Sequence, residues 1–277
     1  MKMNNAWLPS MLLHSPLFKP VQPALTHLQG KDFPGPDEWN DLRSLHCPAI
    51  TVSNGLPLRF VPQATGRQGF ESQYEPRCYL TGEVQTRHDN WHDFFNALVW
   101  LTFPKAKAAI NSRHYQALLR AQQPGESQRG KVRDMATLFD ESGVIVACAN
   151  AELAELLCTF QWKELFWRRR ELVGREMGFY IFGHGLYEKA LQPYVGMTGQ
   201  GLVVQVSEAF FGGTLREQTS YLDERVAAYL NDPVRCVSTR ELQPVPLLGM
   251  PGWAIENSTE EYYDNTSYFR PGRQVFK

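Results

Sequence analysis

Two His-Asp pairs stand close together at the start of an otherwise apolar segment. The segment reads TRHDNWHDFFNALVWLTFPKAKAAIN, and its pairs are His88-Asp89 and His92-Asp93. Imidazole nitrogen and carboxylate oxygen are ligands that zinc, manganese and iron ions accept in proteins. We therefore predict a divalent metal site (Zn, Mn or Fe) with His92, Asp89 and Asp93 among its ligands.

A third histidine, His184, lies between two glycines directly after an apolar strand, in the string FGHGLYEKALQP. Glycine allows the backbone to approach a ligand closely, so we expect His184 beside the reacting atoms. Glu188 follows four residues later and could orient His184 if a helix begins immediately. The alternative is that Gly-His-Gly is only a tight turn.

The candidate residues divide into three roles. We assign catalytic roles to His88, His184 and Asn96, substrate binding to Arg87, Lys105 and Lys189, and metal binding to His92, Asp89, Asp93 and Asp140. Turn chemistry explains Asp140, in LFDESG, better than metal binding does, because Asp and Gly are the residues that a hairpin needs. Asp140 therefore stays a secondary ligand candidate.

One buried helix must position most of these side chains. Nearly every face of residues 91–103 is apolar, which predicts a buried helix with Asn90 as its cap and Asp93 at its third position. Pro104 then opens a second helix that runs to about Gln122. We also predict a hairpin over residues 74–86, and another around residues 140–143 between strands 135–139 and 144–148.

These elements predict a helix-rich α+β fold, a single domain with short antiparallel strands and hairpins. Residues 1–50 should form a proline-rich N-terminal wrap and a helix, residues 51–233 the main domain, and residues 234–277 a C-terminal tail packed on it. A chain of 277 residues with 43% hydrophobic content can bury a core of that size.

Composition argues against several classes of protein. A formal net charge of −1 disfavours a surface built throughout for nucleic acid or anionic lipid. The five cysteines are scattered and never form a CxxC pair, which disfavours a disulfide framework or a thiolate zinc site. No run reaches transmembrane length and no leader pattern opens the chain, so we expect a cytoplasmic protein without membrane contact. Walker, GxGxxG, HExxH and GxSxG motifs are also missing from the sequence.

The string RHDNWHDFFNALVWLTFPKAKAAIN, followed by LFDESG and FGHGLYEKALQP, resembles the bacterial family catalogued as domain of unknown function 3025. The likeness implies a soluble bacterial protein and assigns no role to any residue. It marks the following positions: Arg87, His88, Trp91, His92, Asp93, Asn96, Asp140, His184 and Lys189. A hairpin followed by His88 and then by Asn96 on a helix also resembles His-Asn endonucleases, although the spacing here is short and no zinc-ribbon cysteines accompany it.

Two hypotheses from different classes follow. The first is a metal-assisted hydrolase whose substrate is a phosphoester, with a small-molecule or phosphate-containing ligand as its partner. Nucleic acid is a less supported substrate of the same hydrolase. The second is a non-enzymatic binding or scaffold protein whose His/Asp/Asn cluster is a buried structural network in which His92 pairs with Asn96. Convergence of His88, His92 and His184 on a solvent-reachable site would favour the enzyme. The sequence leaves the oligomeric state open.

Overall fold

A computed structural model describes residues 9–28, 32–46, 48–66, 69–122 and 130–272. Its α-helices are α1 (Pro9–His14), α2 (Gln22–Leu25), α3 (Pro36–Ser44), α4 (Tyr74–Thr81), α5 (Trp91–Thr102), α6 (Pro104–Arg120), α7 (Lys131–Ser142), α8 (Ala151–Cys158), α9 (His184–Ala190) and α10 (Leu215–Asn231). Its strands are β1 (Arg59–Pro62), β2 (Glu83–Thr86), β3 (Gly143–Cys148), β4 (Met177–Ile181), β5 (Thr198–Gln205) and β6 (Gln243–Pro246).

Two small sheets lie within this helical framework. Strand β3 is an inner strand of a four-stranded sheet in the order β4-β3-β5-β6, antiparallel to β4 and parallel to β5. Every residue of β3 is buried, while β1 and β2 form a separate parallel pair. The structure is 53% helical and 14% strand, which confirms the helix-rich α+β prediction, although the sheets are mixed rather than purely antiparallel.

Helix α5 is buried along its length, as its sequence predicts. Asn90 caps it, because the Asn90 Oδ1 accepts the Asp93 N–H at 3.0 Å. The Phe95 ring stacks between those of Trp91 and Tyr187, with centroid distances of 5.7 and 5.5 Å. Pro104 opens α6 as predicted. Local sequence therefore determines both ends of the helix that carries His92.

The hairpin predicted over residues 74–86 is wrong. Residues 74–81 form α4, and only residues 83–86 form a strand. Gly82 separates them in a left-handed conformation at φ +74°, which ends the helix as a glycine C-cap does. Residues 74–86 therefore form no hairpin before His88, and the order of elements that resembled His-Asn endonucleases is not present there.

The hairpin predicted around residues 140–143 is also wrong. Residues 135–139 lie within α7, where Met135, Ala136 and Phe139 are spaced to bury one helical face. Asp140 consequently lies in the last turn of a helix rather than in a β-turn. The strand predicted at 144–148 is confirmed as β3.

One hydrophobic core joins the three parts of the chain that the sequence distinguished. Leu17 and Phe18 from the N-terminal part, α5 from the middle and Phe269 from the tail all belong to it. The boundaries at residues 50 and 233 stay predictions. Among the described residues no helix is both long and apolar enough to cross a membrane.

Arg113 ties the end of α10 to α6. Its guanidinium donates hydrogen bonds to the backbone carbonyls of Leu230, Asp232, Arg235 and Cys236. The last carbonyls of a helix have no partner within the helix, so one planar cation satisfies acceptors that would otherwise need water. Arg113 thus links elements more than a hundred residues apart.

We expect Arg113→Met to lower the free energy of unfolding by about 3 kcal/mol, because it leaves several part-buried carbonyls without donors. Urea unfolding followed by tryptophan fluorescence measures the change. Arg120→Met is the matched control, because Arg120 is an exposed arginine at the end of the same helix. Equal stability of the two variants would show that the carbonyls are satisfied by water instead.

Candidate metal centre

His92 and His184 meet edge to face, with their Nε2 atoms 2.9 Å apart. His92 lies in the first turn of α5, and His184 is the first residue of α9. The His184 side chain is buried, at 7% exposure, whereas 33% of the His92 side chain reaches solvent. The pair therefore lies where the contact between α5 and α9 reaches the protein surface, and a small solute can reach it there.

Glu141 adds a carboxylate to the same point. Its Oε1 lies 3.6 Å from the Nε2 of His184 and 3.9 Å from the Nε2 of His92. One ligand atom from each of the three residues falls within 4.8 Å of the others. Ligand atoms around a tetrahedral ion with bonds of about 2.0–2.1 Å lie about 3.3 Å apart. The three groups thus need small movements to form a two-histidine, one-carboxylate site.

A carboxylate also lies near the Nδ1 atom of each imidazole, on the side of the ring opposite the Nε2 atoms that face each other. The Nδ1 of His92 contacts Glu188 Oε2 at 3.1 Å, and the Nδ1 of His184 faces Asp140 Oδ2 at 3.7 Å. The latter nitrogen is buried without a hydrogen-bond partner among the described residues. Carboxylates on the far nitrogens of histidines are typical of metal sites, where they orient the rings.

Lys107 neutralises the carboxylate behind His184. Its Nζ lies 2.5 Å from Asp140 Oδ1, and only 3% of the Lys107 side chain is exposed. Burial acts to raise the pKa of Asp140, but the Lys107 ammonium outweighs it and the pKa is lowered. Asp140 is therefore ionised beside the imidazole.

Burial dominates the protonation of the other two groups. It lowers the pKa of His184 to about 3, an effect that Asp140 opposes only partly, so His184 is neutral at physiological pH. Burial also raises the pKa of Glu141, and the nearby His92 partly offsets this increase. Neutral imidazole is the form that binds a metal ion.

The glycines that flank His184 permit the packing of α9 on α7. A Cβ on Gly183 would lie 2.5 Å from the backbone nitrogens of Ser142 and Gly143, and one on Gly185 would collide with the Glu141 carboxylate. The two glycines thus bring the chain against Glu141. The close approach that these glycines allow is therefore an approach to the protein itself.

The structure does not bring His88 and Asp89 to this centre. Both lie on the exposed turn before α5, where the His88 Nδ1 and an Asp89 carboxylate oxygen are 2.9 Å apart. Asp93 is held by Arg87, whose guanidinium and backbone N–H donate to its carboxylate at 2.7–2.9 Å. Four of the predicted participants, Arg87 included, are therefore engaged with one another and with the helix cap.

Asn96, Lys105 and Lys189 occupy three different environments. The Asn96 amide donates to the Tyr74 hydroxyl at 2.7 Å, so the predicted pair with His92 does not form. Lys105 lies in the first turn of α6, beyond the far end of α5, where its ammonium contacts Glu224 at 2.5 Å. Lys189 is exposed on α9, next to Glu188.

Sequence reasoning missed Glu141 and misassigned Glu188. A helix does begin at His184, but Glu188 contacts His92 on a different helix rather than His184. The predicted hairpin around residues 140–143 makes Glu141 a turn residue and so gives it no role at a site. The spacing of the apolar residues before it was the available signal, because it places residues 131–142 on one helix.

A cavity of about 410 Å³ lies elsewhere and shares no residue with the histidine pair. Its buried carboxyl is Asp223, whose pKa burial raises to about 7. The two carboxylate oxygens of Asp223 accept hydrogen bonds from the backbone N–H groups of Lys105, at 3.0 Å, and of Ala106, at 2.8 Å. Asp223 therefore caps the start of α6, and the histidine pair is the stronger candidate for chemistry.

A model of the family described as "Protein of unknown function (DUF3025)" matches residues 58–273. The matched segment includes His92, Glu141, His184 and Glu188. No curated protein and no solved structure matches the chain significantly. The role of the centre must therefore be argued from its geometry.

We expect Gly183→Ala to destabilise the protein by about 1–3 kcal/mol, because the added methyl group must displace the backbone of residues 141–143. Thermal unfolding measures the loss. Gly69→Ala is the matched control, since that position has open space and an ordinary φ of −69°. Similar melting temperatures for the two variants would contradict the close packing.

Metal-free protein should lose stability as the pH falls from 6.5 toward 3. Over that range His184 binds a proton in the unfolded chain but stays neutral in the folded protein. The contribution is complete above pH 6.5 and decreases by about 3 kcal/mol by about pH 4. Urea unfolding of wild type and His184→Gln isolates this part, and His88→Gln is the control. The same pH dependence in all three proteins would refute the assignment.

Proposed function

The chain belongs to the DUF3025 family, whose description names no activity, and we propose that it is a metal-dependent hydrolase with His92, His184 and Glu141 as the ligands of a divalent ion. The observation that carries the proposal is the convergence of two Nε2 atoms and one carboxylate from three helices. Two histidines and a carboxylate form the protein ligand set of catalytic zinc in several hydrolases, and also of non-haem iron.

The geometry supports a catalytic rather than a closed structural site. Three protein ligands leave at least one coordination position for water, and the exposed fractions of His92 and Glu141, 33% and 44%, leave that side open to solvent. A bound divalent ion lowers the pKa of its water toward neutrality and so supplies a nucleophile. His184 and Asp140 close the opposite side, where they hold the site against the core.

A small phosphoester is the substrate class that the surroundings favour. Arg87 is half exposed and near enough to Glu188 to interact with it electrostatically, so it adds positive charge to the surroundings of the centre. Lys189 is exposed beside Glu188. The carboxylates of Glu141 and Glu188 at the rim would repel the extended charge of a nucleic acid, which supports a small ligand.

A metal-free structural pair is the second candidate function of these residues. The separation of 2.9 Å between the two Nε2 atoms is a hydrogen-bond length and is shorter than the ligand spacing around a tetrahedral ion. In that case His92 and His184 would join α5 to α9 and fix their packing. The partial exposure of His92 argues against a purely structural contact, because water would compete for it.

Metal content distinguishes the two candidates. Chelator-stripped, tag-free protein is incubated with Zn²⁺, Mn²⁺ or Fe²⁺ under anaerobic conditions, desalted and analysed for metal. We expect near-stoichiometric metal in wild type and in His88→Ala, and its loss in His92→Ala and Glu141→Ala. His88 is the matched control because it is an exposed histidine four residues before His92, on the turn that precedes α5.

Activity is then measured with p-nitrophenyl phosphate and bis(p-nitrophenyl) phosphate. Hydrolysis should disappear with the chelator, return with the metal and be absent in His92→Ala that still folds, as judged by its melting temperature. Equal metal content in His92→Ala and wild type would overturn the metal site. Bound metal without hydrolysis of either ester would overturn the phosphoesterase alone.

A further inference from the structure

The tautomers of the two histidines are determined by what each nitrogen faces. Carboxylates only accept, so the contact of 3.1 Å between Glu188 and His92 places the His92 proton on Nδ1. The Nε2 of His92 is then an acceptor. The contact of 2.9 Å to His184 therefore requires the proton of His184 on its Nε2.

This assignment explains the unpartnered nitrogen of His184. With its proton on Nε2, His184 presents a bare Nδ1 to Asp140, and two acceptors do not bond. The separation of 3.7 Å between Nδ1 and Asp140 Oδ2 is indeed longer than a hydrogen bond, and this Nδ1 is buried with no partner among the described residues. The Asp140 carboxylate thus stands beside His184 without yet accepting a hydrogen bond from its Nδ1.

A metal ion changes this requirement. An ion bound by both histidines needs both Nε2 lone pairs, so the proton of His184 must leave Nε2. It can move to Nδ1 of the same ring, where Asp140 Oδ2 becomes its acceptor after an approach of less than 1 Å, to the usual length of about 2.9 Å. One N–H bond breaks and one forms on the same imidazole, and no net proton is released.

Lys107 holds Asp140 ready for that role. It binds Oδ1, which leaves Oδ2 directed at His184. The ammonium is itself buried and lies 5.6 Å from the centroid of the Trp100 ring. A buried carboxylate without such a cation would be strongly disfavoured, so the pair keeps an acceptor next to His184.

We propose that Asp140, held by Lys107, is a positioning residue that converts His184 from its Nε2–H tautomer in the metal-free protein to its Nδ1–H tautomer in the metal-bound protein. The inference rests on the proposed metal site, and it adds a residue that acts on the ion only through His184. It also gives the buried ion pair a role that packing does not explain.

Imidazole ¹⁵N NMR reads the tautomers directly. In ¹⁵N-labelled wild type without metal, we expect His184 to show a protonated Nε2 and a bare Nδ1. After addition of equimolar Zn²⁺, the Nδ1 should be protonated and the Nε2 bound to metal, while the Nδ1 of His92 stays protonated throughout. This measurement needs no variant, so it does not depend on whether a substituted protein folds.

Variants test the part played by Asp140. Asp140→Ala should weaken Zn²⁺ binding about 10- to 100-fold in calorimetry, the usual effect of removing such a partner. Asp140→Asn retains an amide oxygen and should restore part of the affinity and the Nδ1–H tautomer. Asp134→Ala is the matched control, because Asp134 is exposed in the first turn of the same helix.

The outcomes separate this inference from the proposed function. Absence of Zn²⁺ binding by wild type would overturn both. Binding that involves His92 and His184, but with the His184 proton on Nδ1 before and after Zn²⁺ addition, would overturn only the tautomer change. Binding by Asp140→Ala with wild-type affinity would overturn the positioning role of Asp140 and leave the metal site intact.

Discussion

The close approach of the end of α7 to the start of α9 is the constraint on which the centre depends. The N–H groups of Phe182 and Gly183 both donate to the carbonyl of Gly143 at 2.9 Å, so the β3–β4 pairing continues to the point where both helices attach. The missing side chain of Gly183 makes the approach sterically feasible. With that contact formed, Asp140 and Glu141 at the end of α7 necessarily flank the first residue of α9.

The polar groups behind the centre are costly to bury, which bears on why they are present. An ion pair such as Lys107–Asp140 seldom stabilises a fold more than apolar residues of the same size would, because both charges lose their hydration. Nearby, Glu75 accepts a hydrogen bond from Asn111 at 2.6 Å, and burial raises the pKa of Glu75. Such polar pairs give orientation rather than net stability, and the Lys107–Asp140 pair lies directly behind the imidazole that must be oriented.

Sequence reasoning identified the elements whose signals are local. The Asn90 cap, the proline that opens α6 and the buried character of α5 follow from neighbouring residues alone. The sequence prediction misses helices α4 and α7, because short apolar runs next to Gly82 and Gly143 are also typical of strands that end in a turn. The centre itself was only half predicted: His92 and His184 were named, but Glu141 and Glu188 contact them from other helices. No local pattern encodes which helix will lie opposite another.

The histidine pair joins positions 92 residues apart in the chain. Contacts of such long sequence separation form only after the intervening loops have closed, and their closure is slow because it is entropically expensive. The centre therefore exists only in chains whose long-range contacts have formed, and not in the separate helices. An ion that binds there would stabilise the folded state and would not bind partly folded chains. The supply of metal would therefore raise the fraction of chains that are fully folded.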